Sequence, residues 1–131
     1  IDPSDKAKEV VLSMRARISV FYDGNIEDGF SIIDDAISQF PKIVYPLLTK
    51  ADLAVFKRDK ARLQEAVDSL ERLIHKNAQT YRSFIRYKAY LLTMNGKGHD
   101  AAVLIDKELH GLNQISIDKF KDKLQVFNKS Y

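Results

Sequence analysis

Apolar residues recur at intervals of three and four along nearly the whole chain, which is the pattern of amphipathic α-helices. No segment shows sustained alternation of apolar and polar residues, so the pattern favours an all-α fold. It predicts seven helices, over residues 3–22, 26–40, 43–57, 60–76, 79–94 and 99–110, with a final helix that begins at Ser116.

Helix boundaries are marked by capping residues, prolines and glycines. Asp2 would cap the first helix ahead of Pro3, which suits the first helical position. Pro41 ends the second helix, because proline cannot continue the hydrogen-bond ladder. Pro46 fits the third helix only within its first turn. Gly111 is the predicted C-cap of the sixth helix.

The apolar positions place one stripe on each helix. In the fifth helix, one stripe contains Phe84, Tyr87 and Leu91 and another contains Ile85, Ala89 and Leu92, as expected for a helix buried on two sides. The other stripes are Val11, Met14, Ile18 and Phe21; Ile26, Phe30, Ile33 and Ile37; Leu47, Ala51, Ala54 and Val55; Leu63, Ala66, Val67, Leu70, Leu73 and Ile74; and Ile117, Phe120, Leu124 and Phe127.

A helical-hairpin repeat is visible in the chain. The best copy has Gly24 at the turn, small residues at Gly29 and Ala36, Ile33 between them and Pro41 at the end. Two weaker copies follow. In the second copy, Ala61 takes the turn position, Ala66 the small position and Leu70 the large apolar position. In the third copy, Gly96, Ala101 and Ile105 take the same three positions. The turn positions 24, 61 and 96 are 37 and 35 residues apart.

This pattern resembles the tetratricopeptide repeat, over about residues 10–113. The departures are the absence of tryptophan, Ala16-Arg17 in place of a Leu-Gly pair, Glu108 at a small position and Ala78 in place of a proline. The resemblance implies a right-handed superhelical array of about three antiparallel helical hairpins, plus a C-terminal capping helix. It also implies a concave groove, lined by the first helix of each pair, that binds a peptide or a helix of a partner protein. A plain helical bundle is the alternative.

Composition narrows the class of protein. The 131 residues suffice for one domain, which we expect to be a fragment of a longer cytoplasmic protein, and there is no cysteine. Charge is uneven, because residues 1–56 carry a net −3 and residues 57–131 a net +6. A basic surface in the second half would suit an acidic partner.

The candidate binding residues are Arg82, Arg86 and Tyr90, which are spaced by four and therefore share a face of the fifth helix. Two guanidinium groups and a phenol could hold a carboxylate or an acidic peptide. The predicted partner is thus a protein or peptide, and no cofactor or metal is predicted. An exposed end of the array could also pair with a second copy of the chain.

Two other kinds of binding have weaker signals. Clustered cations at Lys57, Arg58, Lys60 and Arg62 could contact nucleic-acid phosphates. The alternative function is a nucleic-acid-binding helical module that uses the basic C-terminal half of the chain. The final helix carries Lys119, Lys121, Lys123 and Lys129 opposite its apolar stripe, so it is either a membrane-surface helix or, more simply, a lid over the last hairpin.

Catalytic patterns are not evident. The glycines at 24 and 29 have the spacing of a phosphate-binding loop, but Phe30 follows where lysine is required. His75, His99 and His110 lack metal-ligand spacing, and we expect His75 and His110 to interact with helix C-termini. The sequence therefore predicts a binding protein rather than an enzyme.

Overall fold

A computed structural model describes residues 3–129, and the predicted cap Asp2 lies outside them. This part of the chain folds into seven α-helices and contains no strand. The helices are α1 (Pro3–Phe21), α2 (Ile26–Gln39), α3 (Val44–Lys57), α4 (Lys60–Leu73), α5 (Tyr81–Met94), α6 (Gly98–Glu108) and α7 (Gln114–Lys129). The all-α prediction and the order of the helices are confirmed.

The helices pack as three successive hairpins, α1 with α2, α3 with α4 and α5 with α6. Between hairpins, α3 packs on both α1 and α2, and α5 packs on both α3 and α4. The first helices of the pairs therefore form a continuous row, α1–α3–α5. Helix α7 lies against α5 and α6, so the C-terminal end of the row is covered.

Small residues allow the paired helices to approach closely. Gly29, at the α1–α2 contact, has so little room that an added Cβ would collide with Val20 and lie 3.0 Å from the carbonyl oxygen of Ala16. Ala36, Ala54, Ala66, Ala89 and Ala101 are likewise buried in the core. The large apolar residues of that core include Phe30, Ile33, Leu53, Leu63, Leu70, Ile85 and Ile105.

Left-handed backbone conformations mark the turn inside each hairpin. Gly24 has φ = 68° and Gly96 has φ = 75°, as glycine permits, whereas the middle turn uses Arg58 with φ = 54°. The predicted helix bounds 43–57 and 60–76 place this turn correctly, whereas the repeat alignment put it at Ala61, which is the second residue of α4. The Asp59 side chain caps α4 by accepting a hydrogen bond of 3.1 Å from the Arg62 amide.

Two predicted caps near the C-terminus are also wrong. Helix α6 ends at Glu108 with Leu109 as its C-cap, and Gly111 does not adopt the left-handed conformation of a glycine cap. Helix α7 begins at Gln114, because the Asn113 side chain accepts a hydrogen bond of 2.8 Å from the Ser116 amide. Ser116 is thus inside the first turn and its amide is the capped group.

The apolar stripe of α1 differs most from what amphipathicity suggests. Its core-facing residues include Ala16 and Val20, together with Glu9, Ser13 and Ser19. Val11, Met14, Ile18 and Phe21 are all exposed instead. The reason is that α1 is the first helix of the row, and in the described part of the chain only α2 and α3 pack against it.

Candidate functional site

A groove opens where α3, α5 and α7 meet, with a volume of about 550 Å³. We call it the α5–α7 groove, and it is lined by Asp52 from α3, Ser83, Arg86, Tyr87 and Tyr90 from α5, and Lys119, Phe120 and Lys123 from α7.

Aromatic contacts hold α7 over α5 and so form one wall of the groove. The Tyr90 ring meets Phe120 and Phe127 edge to face, with centroids 5.6 and 5.0 Å apart. The Arg58 guanidinium lies 4.2 Å from the centroid of Phe127 and donates a hydrogen bond of 3.3 Å to its carbonyl oxygen. The wall is therefore anchored to α5 and to the α3–α4 turn.

Asp52 is the acidic residue of the groove, and it is already neutralised. Arg17 of α1 forms an ion pair with Asp52 and donates a second hydrogen bond, of 3.2 Å, to the hydroxyl of Thr49. Burial raises the pKa of the Tyr87 phenol well above its ordinary value, and the nearby Asp52 carboxylate raises it further. The phenol consequently stays protonated at neutral pH and can donate a hydrogen bond.

Arg86, Lys119 and Lys123 bring three positive charges to the groove. Between residues 3 and 129 none of the three forms an ion pair. Nearby cations on the same helices differ, since Lys88 pairs with Glu71 and Lys121 pairs with Asp106, at 2.8 and 2.7 Å. The lining residues of the α5–α7 groove thus carry a net positive charge, and Asp52, the acidic residue among them, is already paired with Arg17.

The structure separates the three predicted binding residues. Arg86 and Tyr90 both line the α5–α7 groove. Arg82 is exposed and is not among its lining residues, because its guanidinium lies against Gly111 in the α6–α7 loop. A Cβ built on Gly111 would be only 2.9 Å from Nη2 of Arg82.

Sequence reasoning missed the contribution of α7. Lys119 and Lys123 are spaced by four and point into the groove, whereas Lys121 between them pairs with α6. The i, i+4 spacing was the available signal. The apolar face of α7 is occupied by the protein itself, since Ile117, Leu124 and Phe127 are buried in the core. This agrees with the prediction that the final helix is a lid over the last hairpin, and it argues against the alternative of a helix that binds a membrane surface.

The basic turn at residues 57–62 is engaged in internal contacts. Arg62 forms a bidentate pair with Glu27 at 2.8 and 3.2 Å, also bonds Asp59, and lies 4.1 Å from the Phe30 ring centroid. Lys57 lies 5.6 Å from the ring centroid of Phe56. Two of the four predicted phosphate contacts, Arg58 and Arg62, are therefore committed to holding helices together.

Within residues 3–129 no three His, Cys, Asp or Glu side chains are grouped so that they could hold a metal ion. His110 contacts the end of α6, where its Nδ1 lies 2.7 Å from the Lys107 carbonyl oxygen. None of the described helices is long and apolar enough to cross a membrane.

No protein-family model, no curated protein and no solved structure gives a significant match to this chain.

Proposed function

We propose that this chain is a protein-interaction module that binds an acidic segment of a partner protein in the α5–α7 groove. We further propose that its three hairpins form a right-handed superhelical array similar to that of tetratricopeptide repeats. The α1–α3–α5 row and the covering helix α7 support this arrangement. A crystal structure of the chain would test the handedness.

The observation that carries the proposal is the set of cations at the groove, Arg86, Lys119 and Lys123, which have no acidic partner in the described chain. Carboxylates bound there would gain charge-assisted hydrogen bonds, each contributing roughly 1.5–3 kcal/mol. Tyr87, Tyr90 and Phe120 add aromatic surface beside the charges.

Nucleic acid is the second candidate, because phosphates would also be attracted to this surface. The internal contacts of Arg58 and Arg62 make it the weaker one. Arg86, Lys119 and Lys123 form a compact set of three cations at one groove and not an extended basic strip. Such a set suits a short acidic peptide better than the long polyanionic backbone of a nucleic acid.

The test is fluorescence anisotropy with a fluorescein-labelled peptide of alternating glutamate and tyrosine, compared with a labelled single-stranded oligothymidylate. The groove variant is Arg86→Glu/Lys123→Glu. The control variant, Arg72→Glu/Lys107→Glu, makes the same charge change on exposed residues of α4 and α6. We expect the groove variant to weaken peptide binding by at least about tenfold, since two charge-assisted bonds are lost.

The control variant should stay within about threefold of the native chain, because Arg72 and Lys107 do not line the groove and salt screens exposed charges. Equal weakening by both variants would show that the peptide senses only the net charge. Tighter binding of the oligothymidylate than of the peptide, with a steep dependence on salt, would overturn the proposal in favour of nucleic acid.

A further inference from the structure

The end of the array formed by α1 and α2 carries an exposed apolar stripe. Val11 and Met14 are each 54% exposed, Ile18 is 46% exposed and Tyr22 is 84% exposed. Together with the exposed Ala7 they follow one another at intervals of three and four, so they lie along one side of α1 and the turn after it. We call these five residues the outer stripe. Such a continuous exposed apolar surface is characteristic of an interaction site.

Two rows of mainly polar residues lie beside the outer stripe. Helix α1 provides the basic row, which contains Lys8, Leu12, Arg15 and Ser19 at intervals of four, three and four. Helix α2 provides the acidic row, which has the same spacing and contains Asp28, Ile32, Asp35 and Gln39. The rows are neighbours and run in opposite directions. Ser19 donates a hydrogen bond of 3.4 Å to Asp28 at one end, and Gln39 shares a cleft with Lys8 and Leu12 at the other.

Within one chain, the cations and carboxylates of these rows are staggered. Because the rows are antiparallel and equally spaced, Lys8 lies beside Gln39 and Arg15 lies beside Ile32. Each carboxylate is therefore displaced along α1 by about one helical turn, roughly 5 Å, from the nearest cation. Four charged residues of the two rows are exposed and form no ion pair within residues 3–129: Lys8, Arg15, Asp28 and Asp35.

A second copy of the chain, turned about a two-fold axis, removes this stagger. If the axis crosses α1 at right angles between residues 13 and 14, the rows of the second copy run in reverse along the same face. Asp28 of the second copy then comes opposite Lys8, and Asp35 of the second copy comes opposite Arg15. Symmetry makes each pair twice, and no like charges face each other in either row.

The same axis also interleaves the two outer stripes. Measured along α1, Ile18 of the second copy falls between Ala7 and Val11, and Val11 of the second copy falls between Met14 and Ile18. The two Met14 side chains flank the axis. The apolar residues therefore interdigitate, as side chains do between packed helices, and do not meet head-on. Charges and apolar residues thus favour one and the same register.

We propose that two copies of this chain form a symmetric dimer through the outer stripe and the basic and acidic rows, with α1 antiparallel to α1 of the second copy. No residue of these three sets lines the α5–α7 groove, so the dimer is independent of the proposed function. The shared face is two helices wide and about 20 Å long, which is small beside a standard interface of about 800 Å² per partner. We therefore expect a weak dimer, with a Kd on the order of 10–100 µM.

The first test is a charge exchange, followed by sedimentation of the whole 131-residue chain from about 1 to 300 µM. The native mass should double over this range. Arg15→Glu or Asp35→Lys alone sets like charges opposite each other and should weaken the dimer at least about tenfold. The double variant Arg15→Glu/Asp35→Lys restores opposite charges and should return the Kd to within about threefold of the native value. Arg72→Glu, an exposed charge change on α4, is the control and should have no effect.

The second test reads the register by cross-linking, since the chain has no cysteine of its own. In the proposed dimer the two Met14 residues are about 2 Å apart along α1, whereas the two Ile18 residues are about 13 Å apart. A disulfide needs Cα atoms within about 7 Å. Under the same mild oxidation, Met14→Cys should therefore give at least about tenfold more cross-linked dimer than Ile18→Cys.

The stripe variant Met14→Ser/Ile18→Ser should also weaken the dimer at least about tenfold, whereas Val103→Ser, 51% exposed on α6, should not. Circular dichroism would confirm that every variant keeps its helices. A native chain that stays monomeric up to about 300 µM overturns the inference. So does a dimer that the stripe variant leaves unchanged, or one that the double charge variant fails to restore. Equal cross-linking at positions 14 and 18 would contradict the proposed register.

Discussion

A single lysine joins three helices at the residue scale. Lys50 of α3 donates hydrogen bonds of 2.8 Å to Asp34 of α2 and to Glu65 of α4. Its side chain is 8% exposed, whereas those of Asp34 and Glu65 are 51% and 65% exposed. Burial lowers the pKa of Lys50, but the two carboxylates more than compensate and hold that pKa above its ordinary value.

Because Lys50 is buried and its two partners are exposed, removing the lysine and removing the carboxylates should lower the free energy of unfolding by different amounts. Lys50→Met keeps the buried stem and leaves two carboxylates that water can solvate, so we expect a loss of about 1 kcal/mol. Asp34→Asn/Glu65→Gln leaves a buried ammonium without a counter-charge, and we expect a loss of roughly 3 kcal/mol or more. Urea unfolding at pH 7 measures both, and equal losses would mean that water reaches Lys50 in the folded state.

Glu9 gives a pH-dependent prediction. It is buried beside Ser13, and burial raises the pKa of its carboxyl group, although the Ser13 hydrogen bond and the charge of Lys6 act in the opposite direction. Because the folded state binds this proton more tightly than the unfolded state, the stabilising contribution is complete below the ordinary pKa and is lost as the pH rises through the folded pKa.

Glu9→Gln fixes the side chain in a neutral form. We therefore expect this variant to unfold at higher urea than the native chain at pH 7, with the difference vanishing below about pH 4, where glutamate is protonated in both states. Urea titrations at several pH values between 3.5 and 7 would measure the trend. A difference that is constant with pH would show that packing, and not ionisation, separates the two chains.

At the scale of elements, close packing within the first hairpin depends on one glycine. An alanine at 29 gains helix propensity of up to about 1 kcal/mol, but its Cβ must displace Val20 and the α1 backbone at Ala16. Overpacking costs about 1–3 kcal/mol, so Gly29→Ala should be destabilising overall.

Gly98 is the matched control, because it begins α6 and a Cβ there meets nothing within 4 Å. Gly98→Ala should be neutral or stabilising by up to about 1 kcal/mol. Thermal unfolding followed by circular dichroism compares the two variants. Equal stability of Gly29→Ala and Gly98→Ala would contradict this prediction. It would mean that α1 and α2 can move apart with no loss in the free energy of unfolding.

The existence of each helix was predictable, whereas several ends were not. Period and proline placement located α2 and α3 closely, since the signal repeats over many residues. A helix cap depends on a single residue, and neighbouring residues that could also cap the helix compete for that position. Asn113 rather than Ser116 caps α7, and Arg58 takes the left-handed turn conformation that glycine would usually supply.

The candidate site was predictable only along one helix. Arg86 and Tyr90 followed from spacing on α5, but the placement of Arg82 beside Gly111, away from the groove lining, depends on the tertiary path of the chain. Lys119 and Lys123 reach the groove only because α7 folds back over α5. For the same reason, spacing alone revealed the stripe of α1 without revealing that it is exposed.

Over the whole molecule, ion pairs link neighbouring parts of the array. The pairs Arg17–Asp52, Lys50–Asp34 and Arg62–Glu27 join the first hairpin to the second. The pair Lys88–Glu71 joins the third hairpin to the second, and Lys121–Asp106 joins α7 to α6. Arg86, Lys119 and Lys123 take no part in these links and lie at the α5–α7 groove, where a binding partner can reach them.

The row of helices also predicts how stability is distributed. Helix α3 contacts α1, α2, α4 and α5, and α5 contacts α3, α4, α6 and α7. Within residues 3–129, α1 and α7 each contact only two other helices. In such quasi-one-dimensional stacks the ends open more easily than the middle. Amide hydrogens of α3 and α5 should therefore exchange at least about tenfold more slowly than those of α1 and α7, a difference of roughly 1.4 kcal/mol in opening free energy.

Hydrogen exchange with mass spectrometry at pH 7 would resolve the helices as separate peptides. Uniform protection of all seven helices in the unbound chain would instead mean that the array unfolds as one cooperative unit, with its end helices as firmly held as its centre.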